Sequence, residues 1–190
     1  MQQLLNVEEP AAPARPGRIR LAWRALHEPA PGVSRRMRLV AYAVPFTVLP
    51  SSLWRLPEAF NEGSAPGERA YIVFLSVLSE LVAFTAVGLV ATWGERFPRW
   101  IPKLRGRTVP TRVAVIPAAI GSVVLTVMWT AAWAVDFAGV TLRGEPTPAD
   151  FPSQAGGWEA AIYYVCYLPL LLWGPLLALA TYGYHRRRNH

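Results

Sequence analysis

The chain has 190 residues, 53% hydrophobic and only 16% charged, against about a quarter charged in an ordinary soluble domain, so lipid rather than water is the expected solvent. A net charge of +7 would by itself raise nucleic acid as a partner, but the positions of the cations remove that reading below. The single cysteine, Cys166, excludes an internal disulfide.

Residues 1–36 form a basic N-terminal segment. Its first 17 residues, rich in Pro and Ala, are expected to be disordered. Beyond them, Ile19, Trp23 and Leu26 recur at helical spacing opposite Arg18, Arg20 and Arg24. That pattern fits either a short helix lying on the inner leaflet or a disordered basic tail. No short apolar run with a small-residue cleavage site occupies the first thirty residues, so the first apolar span is expected to do the targeting.

Four apolar stretches follow within residues 37–185: spans at 39–56, 70–93, 111–137 and 159–182. Each approaches or exceeds the roughly 20 residues needed to cross a hydrocarbon core as a helix. None shows the period-two alternation of a membrane strand, and a barrel needs at least about eight strands. The fold class is therefore all-α, a polytopic bundle of four transmembrane helices.

Charge sets the orientation. Seven Arg precede span one, six Arg and Lys lie between spans two and three (Arg96, Arg99, Lys103, Arg105, Arg107 and Arg112), and three (Arg186, Arg187 and Arg188) fall in the tail at 186–190, so 16 of the 19 cations share one side. The other two loops hold only Arg55, Arg69 and Arg143, among six carboxylates. The positive-inside rule then puts both termini in the cytoplasm. The basic segment "ERFPRWIPKLRGRTVP", residues 95–110, is first a topology determinant. Its cations also lie against anionic lipid headgroups, its prolines exclude a continuous helix, and no nucleic-acid partner is expected.

The run "WGERFPRWIPKLRGRTVP", preceded by "SELVAFTAVGLVATW" and followed by "AVIPAAIGSVVLTVMWTAAW", resembles a pattern in a group of uncharacterised four-helix integral membrane proteins of actinobacteria. The resemblance covers about residues 37–185 and is most specific in the loop WGE…PRW-x-P…GR-x-VP. It implies a bacterial plasma membrane and carries no activity with it. The ratio of 18 Arg to one Lys fits a GC-rich genome.

Within the spans one residue stands out. Glu80 falls about 15 Å inside span two, near the bilayer midplane, where a charge costs about 3 kcal/mol on insertion scales. Desolvation there favours a protonated or hydrogen-bonded carboxyl. Ser76 and Ala83 share its face. Matching depths from the outer edge brings Thr47 of span one, Thr126 or Thr130 of span three and Tyr167 of span four to its level. At the outer rim, Arg55 is expected to pair with Asp136.

Span three carries small residues at every fourth position from Ala114 through Ala118, Ser122, Thr126, Thr130 and Ala134 to Ala138. Such residues allow close helix approach. The row winds about 240° around the helix, which places span three in the middle of the bundle, with Trp129 and Trp133 as interfacial anchors. Pro45 and Pro50 in span one and Pro169 and Pro175 in span four are expected to kink or interrupt their helices, as in helices that line transport pathways.

Motifs of soluble enzymes are absent. The three histidines lie in the tails, no group has metal-ligand spacing, and no metal or cofactor is expected; Cys166 is expected to pack as a small apolar side chain. Three kinds of function remain open, of which the sequence favours the first, because Glu80 and the helix prolines have adequate structural explanations. One is an accessory or structural component docking another membrane protein. The second is a carrier or membrane enzyme with a proton-active Glu80 in an intramembrane pocket, and the third a homo-oligomeric transporter. The loop at 139–158 is long enough to cap the bundle.

Overall fold

The computed structural model describes residues 17, 28–60, 65–95 and 107–189. The helical pattern at 18–26 and most of the basic loop, 96–106, lie outside the described residues. The described chain is all-helical, its only β pairings being isolated bridges. Helix α1 is Arg35–Arg55, α2 Pro66–Gly88, α3 Thr111–Phe137, α4 Gly157–Tyr167 and α5 Trp173–Asn189. A 3₁₀ segment, Leu168–Leu172, joins α4 to α5.

Three helical units are long and apolar enough to cross a membrane: Pro66–Gly88, Thr111–Phe137 and Gly157–Asn189, the last counting α4 and α5 together. Helix α1 is 21 residues long, but Arg35, Arg36, Arg38, Arg55 and its hydroxyl residues leave it less apolar. Its neighbours compensate. The helices form a row in which α2 packs on one side of α1 and α5 on the other, while α3 packs on the far side of α5. Along α1, Ala41, Val44, Thr47, Val48, Ser51 and Ser52 are buried, at the three- and four-residue spacing of a helix face.

Small residues fill much of the interior, beside buried Leu170, Trp173, Leu177 and Tyr184, and many bulky aliphatic residues lie outside. The core contains Ala41, Ser51, Ser76, Ala83, Ala86 and Ala180, whereas Phe74, Leu81, Ile120, Val123 and Val127 are exposed. Small residues inside and bulky aliphatic residues outside are what close helix packing in lipid requires, and the exposed apolar surface far exceeds single scattered residues.

One end of the row gathers the start of α1, the end of α2, the start of α3 and the end of α5. Ala30 N donates to the Val90 carbonyl (2.9 Å), Thr92 N to the Glu28 carbonyl (3.1 Å) and Val109 N to the Glu95 carbonyl (2.8 Å). Arg188 donates to the Val109 carbonyl at 2.8 Å. Arg187 pairs with Glu95, so the basic tail of the sequence reading is the last turn of α5, folded against this end.

Several expectations change. Span two ends at Gly88 rather than Trp93: the chain folds back so that the Trp93 ring lies on Gly88 and stacks near Phe84, with centroids 6.2 Å apart. A Cβ on Gly94 would strike the Gly88 backbone, so this return needs glycine. Helix α1 runs through Pro45 and Pro50 without a break; the interruption falls in the fourth unit, where Pro169 enters the 3₁₀ segment and Pro175 sits in the first turn of α5.

Span three keeps its expected bounds but not its expected place. Helix α3 is at the edge of the row, and Ser122 and Trp133 are its buried residues. The lower part of its small-residue row meets α5: a Cβ on Gly174 would strike Thr126 Oγ1 and the Ser122 carbonyl. Winding then carries Thr130, Ala134 and Ala138 out of the seam to exposed positions. Trp133 is not a lipid-facing anchor. It is 5% exposed, packed on Phe137 and Tyr164 with centroids 5.3 and 5.5 Å away.

Candidate functional site

Glu80 sits on α2 where α2 faces α1. The carboxyl is half-buried, and its Oε1 is buried with no hydrogen-bond partner. Across the seam the Ser52 hydroxyl interacts with the carboxyl. Ser52 Oγ also lies 3.4 Å from Ser79 Oγ, and Ser79 donates to the Ser76 carbonyl at 3.0 Å. Ser76 is 3% exposed, its own hydroxyl oxygen without a partner. Three serines and one acid thus form a polar seam between two apolar helices.

Beside this seam is a cavity of about 390 Å³, lined by Leu49, Ser52 and Leu53 of α1 and Ser76, Glu80, Leu81 and Phe84 of α2. Its rim is on the outer surface of the helix pair, since Leu53 and Leu81 are 57% and 60% exposed. The site is an apolar groove open sideways, with its polar groups in the seam between the two helices.

The depth-matched partners are not brought to Glu80. Thr47 is buried, but its hydroxyl donates to the Val44 carbonyl of its own helix (2.7 Å). Thr126 donates to the Ser122 carbonyl (2.7 Å) and Thr130 is exposed, both on the far edge helix α3. Tyr167 stacks on Tyr163, centroids 4.9 Å apart. The cause is register. Ser52 lies one turn from the end of α1, yet it faces residues 14 or so into α2, so α1 stops about 15 Å short of the start of α2. The 3₁₀ turn Pro57–Phe60 fills the step, with Ala59 1% exposed. Counting from a common outer edge therefore selects a residue more than a turn too deep on α1. Ser52 and Ser79 were missed for that reason, although serines one and four residues before Glu80 mark a polar helix face.

Arg55 and Asp136 do not pair. Arg55 Nε donates to the Ser51 carbonyl of its own helix (3.3 Å) and interacts electrostatically with Tyr167. Asp136 accepts from Ser153 (2.8 Å) of the loop after α3. With α1 ending early and α3 at the edge, their side chains have different neighbours. The 139–158 loop is tied down by this bond, by the edge-on contact of Phe151 with Tyr163 (5.6 Å) and by a hairpin pairing of Val140 with Pro146. Among the described residues, no three metal-ligating side chains cluster.

Fold and site define a helical protein of membrane type, with three units long and apolar enough to cross a bilayer and a laterally open apolar groove that carries an acid. No protein-family model, curated protein or solved structure matches the chain.

Proposed function

We propose that the protein is a four-span protein of a bacterial plasma membrane, of the actinobacterial kind its loop resembles, with both termini cytoplasmic. In that reading it holds a lipophilic small molecule in the groove between α1 and α2, as a carrier or membrane enzyme does. The carrying observation is the half-buried carboxyl of Glu80, with an unpartnered Oε1, on the wall of a cavity of about 390 Å³. An acid in the apolar zone of a membrane is costly and marks function by default, and the volume falls in the roughly 300–1,000 Å³ range of small-ligand pockets. Apolar walls would take the body of the ligand, and Glu80 with Ser52 would exchange a proton or hydrogen bond with its polar group. The fourth crossing is α1, shielded between α2 and α5. The orientation is supported by the Arg residues collected where the start of α1 meets the end of α5.

An accessory role, docking another membrane protein or a second copy of the chain, is favoured by a different observation. Edge helix α3 leaves Thr130, Ala134 and Ala138 exposed beside an apolar face, where small residues permit close helix approach. Native mass spectrometry of the protein released from its own membrane, wild type beside Glu80→Gln, separates the two. A discrete small molecule retained by wild type and lost from the variant supports the pocket. A protein subunit accompanying both forms, with no small molecule, replaces it with the accessory role.

A further inference from the structure

A second cavity lies at the end of the row where the start of α1 meets the end of α5. It has a volume of about 500 Å³ and is walled by Ser34 and Met37 at the start of α1, Leu89 just after α2, and Tyr184, Arg186 and Arg187 on α5. Its walls come from segments some 50 to 150 residues apart in the chain.

Its chemistry is that of an anion site with an apolar floor. Arg186 is exposed and has no carboxylate partner among the described residues. Arg187 uses Nη2 on Glu95 and on the Leu89 carbonyl (3.3 Å), but its Nη1 is buried without a hydrogen-bond partner. The Tyr184 hydroxyl is in the same condition, in a residue 1% exposed. The guanidinium carbons of Arg187 and Arg188 lie over the Tyr184 ring, 5.5 and 5.9 Å from its centroid, so positive charge is concentrated beside that ring. The first turn of α1 is capped by Ser34, whose Oγ accepts from Met37 N at 3.2 Å, and it has no acid to oppose the positive end of the helix dipole. Buried polar groups in a folded protein ordinarily find partners, and here two unpartnered donors, Arg187 Nη1 and the Tyr184 hydroxyl, belong to residues that line a space large enough for a phosphate with its substituent.

We propose that this cavity binds a phosphate ester, supplied as the headgroup of an anionic phospholipid. Arg186, Arg187 and Tyr184 meet the phosphate oxygens, Arg as the natural partner of a phosphate. The glycerol end lies on Met37 and Leu89, and the acyl chains leave past Tyr182, which is 62% exposed, into the bilayer. The site is separate from the groove at Glu80 and does not depend on it. It depends on the proposed orientation only in assigning the lipid to the inner leaflet, and binding to detergent-solubilised protein tests it regardless of orientation.

The test is retention of lipid by the purified full chain in detergent, read by native mass spectrometry after adding phosphatidylglycerol or phosphatidylcholine in equal amounts. Wild type should keep phosphatidylglycerol preferentially, by about fivefold or more, the effect of about one well-placed cation near a headgroup. Arg186→Gln should abolish the preference, whereas Arg112→Gln, an equal charge loss on an exposed position of α3 outside the cavity, should leave it within about twofold. Equal retention of the two lipids by wild type overturns the proposal without recourse to any variant. Equal losses in the two variants also overturn it, by reducing the preference to surface charge. Displacement of the lipid by soluble glycerol phosphate at comparable concentration keeps the phosphate site but overturns the lipid as its source.

Discussion

Replacing Glu80 by Leu separates a residue kept for ligand binding from one kept for structure. The buried Oε1 has no partner, a condition that costs about 1–3 kcal/mol. Leu removes that cost and extends the apolar wall already made by Leu49, Leu53 and Leu81. What is lost is the interaction with Ser52, comparable to the about 0.6 kcal/mol averaged by polar contacts between membrane helices. The difference predicts that ligand-free Glu80→Leu is more stable than wild type by about 1–2 kcal/mol, with ligand retention lost. The assay is equilibrium unfolding by sodium dodecyl sulfate in mixed micelles, followed by far-UV circular dichroism, with Glu80→Gln as the near-isosteric control. A Leu variant less stable than wild type by more than about 1 kcal/mol would mean that Glu80 ties α1 to α2, and the pocket reading would lose its main support.

At the α3–α5 seam, Gly174→Val should destabilise by about 1–3 kcal/mol in the same assay, and Thr126→Ala should not restore it, because the Ser122 carbonyl and the Thr126 backbone also stand in the way; full rescue would show that the backbones do not approach so closely. Glu95→Gln removes the charge opposite Arg187 and should cost about 1–3 kcal/mol, read as a lower unfolding midpoint that high salt does not recover. Orientation is checked in a Cys166→Ser background with a membrane-impermeant maleimide on intact cells: Ala149→Cys should label from outside and Arg186→Cys only after lysis, and the reverse pattern would invert the topology.

The parts legible in the sequence were those set by each segment's own composition. Helix α3 spans Thr111–Phe137, the bounds its apolar run alone indicates, because Pro110 cannot extend the helix and Phe137 is the last apolar residue before the Ala-Gly turn. The break at Pro169 is local in the same sense. Relations between segments were not legible. A row of small residues is the same signal whether one neighbour uses it or three, so nothing in Ala114 to Ala138 distinguishes an edge helix from a central one. The loop from Gly139 to Trp158 could be expected to cap the bundle, but the Ser153–Asp136 bond that fastens it takes the carboxyl that charge matching had assigned to Arg55.

The same distinction explains where the functional groups lie. Helix α1 is too polar to be counted among the three apolar units, and like α5 it has helix neighbours on two sides. Shielding by α2 and α5 is what lets it carry Thr47, Ser51 and Ser52 inward, since a buried hydroxyl is tolerated where a carbonyl or another hydroxyl lies within reach. Two of the three answer carbonyls of their own helix, Thr47 that of Val44 and Ser51 that of Val48. Ser52 is the one that turns across the seam, to Ser79 and Glu80. The early end of α1 brings this hydroxyl level with the acid and leaves the cavity beside them open to the side. Shortening α1 thus creates both the polar pair and the groove, which is why a helix poor in apolar residues and a carboxyl in the apolar zone occur at one place in the fold.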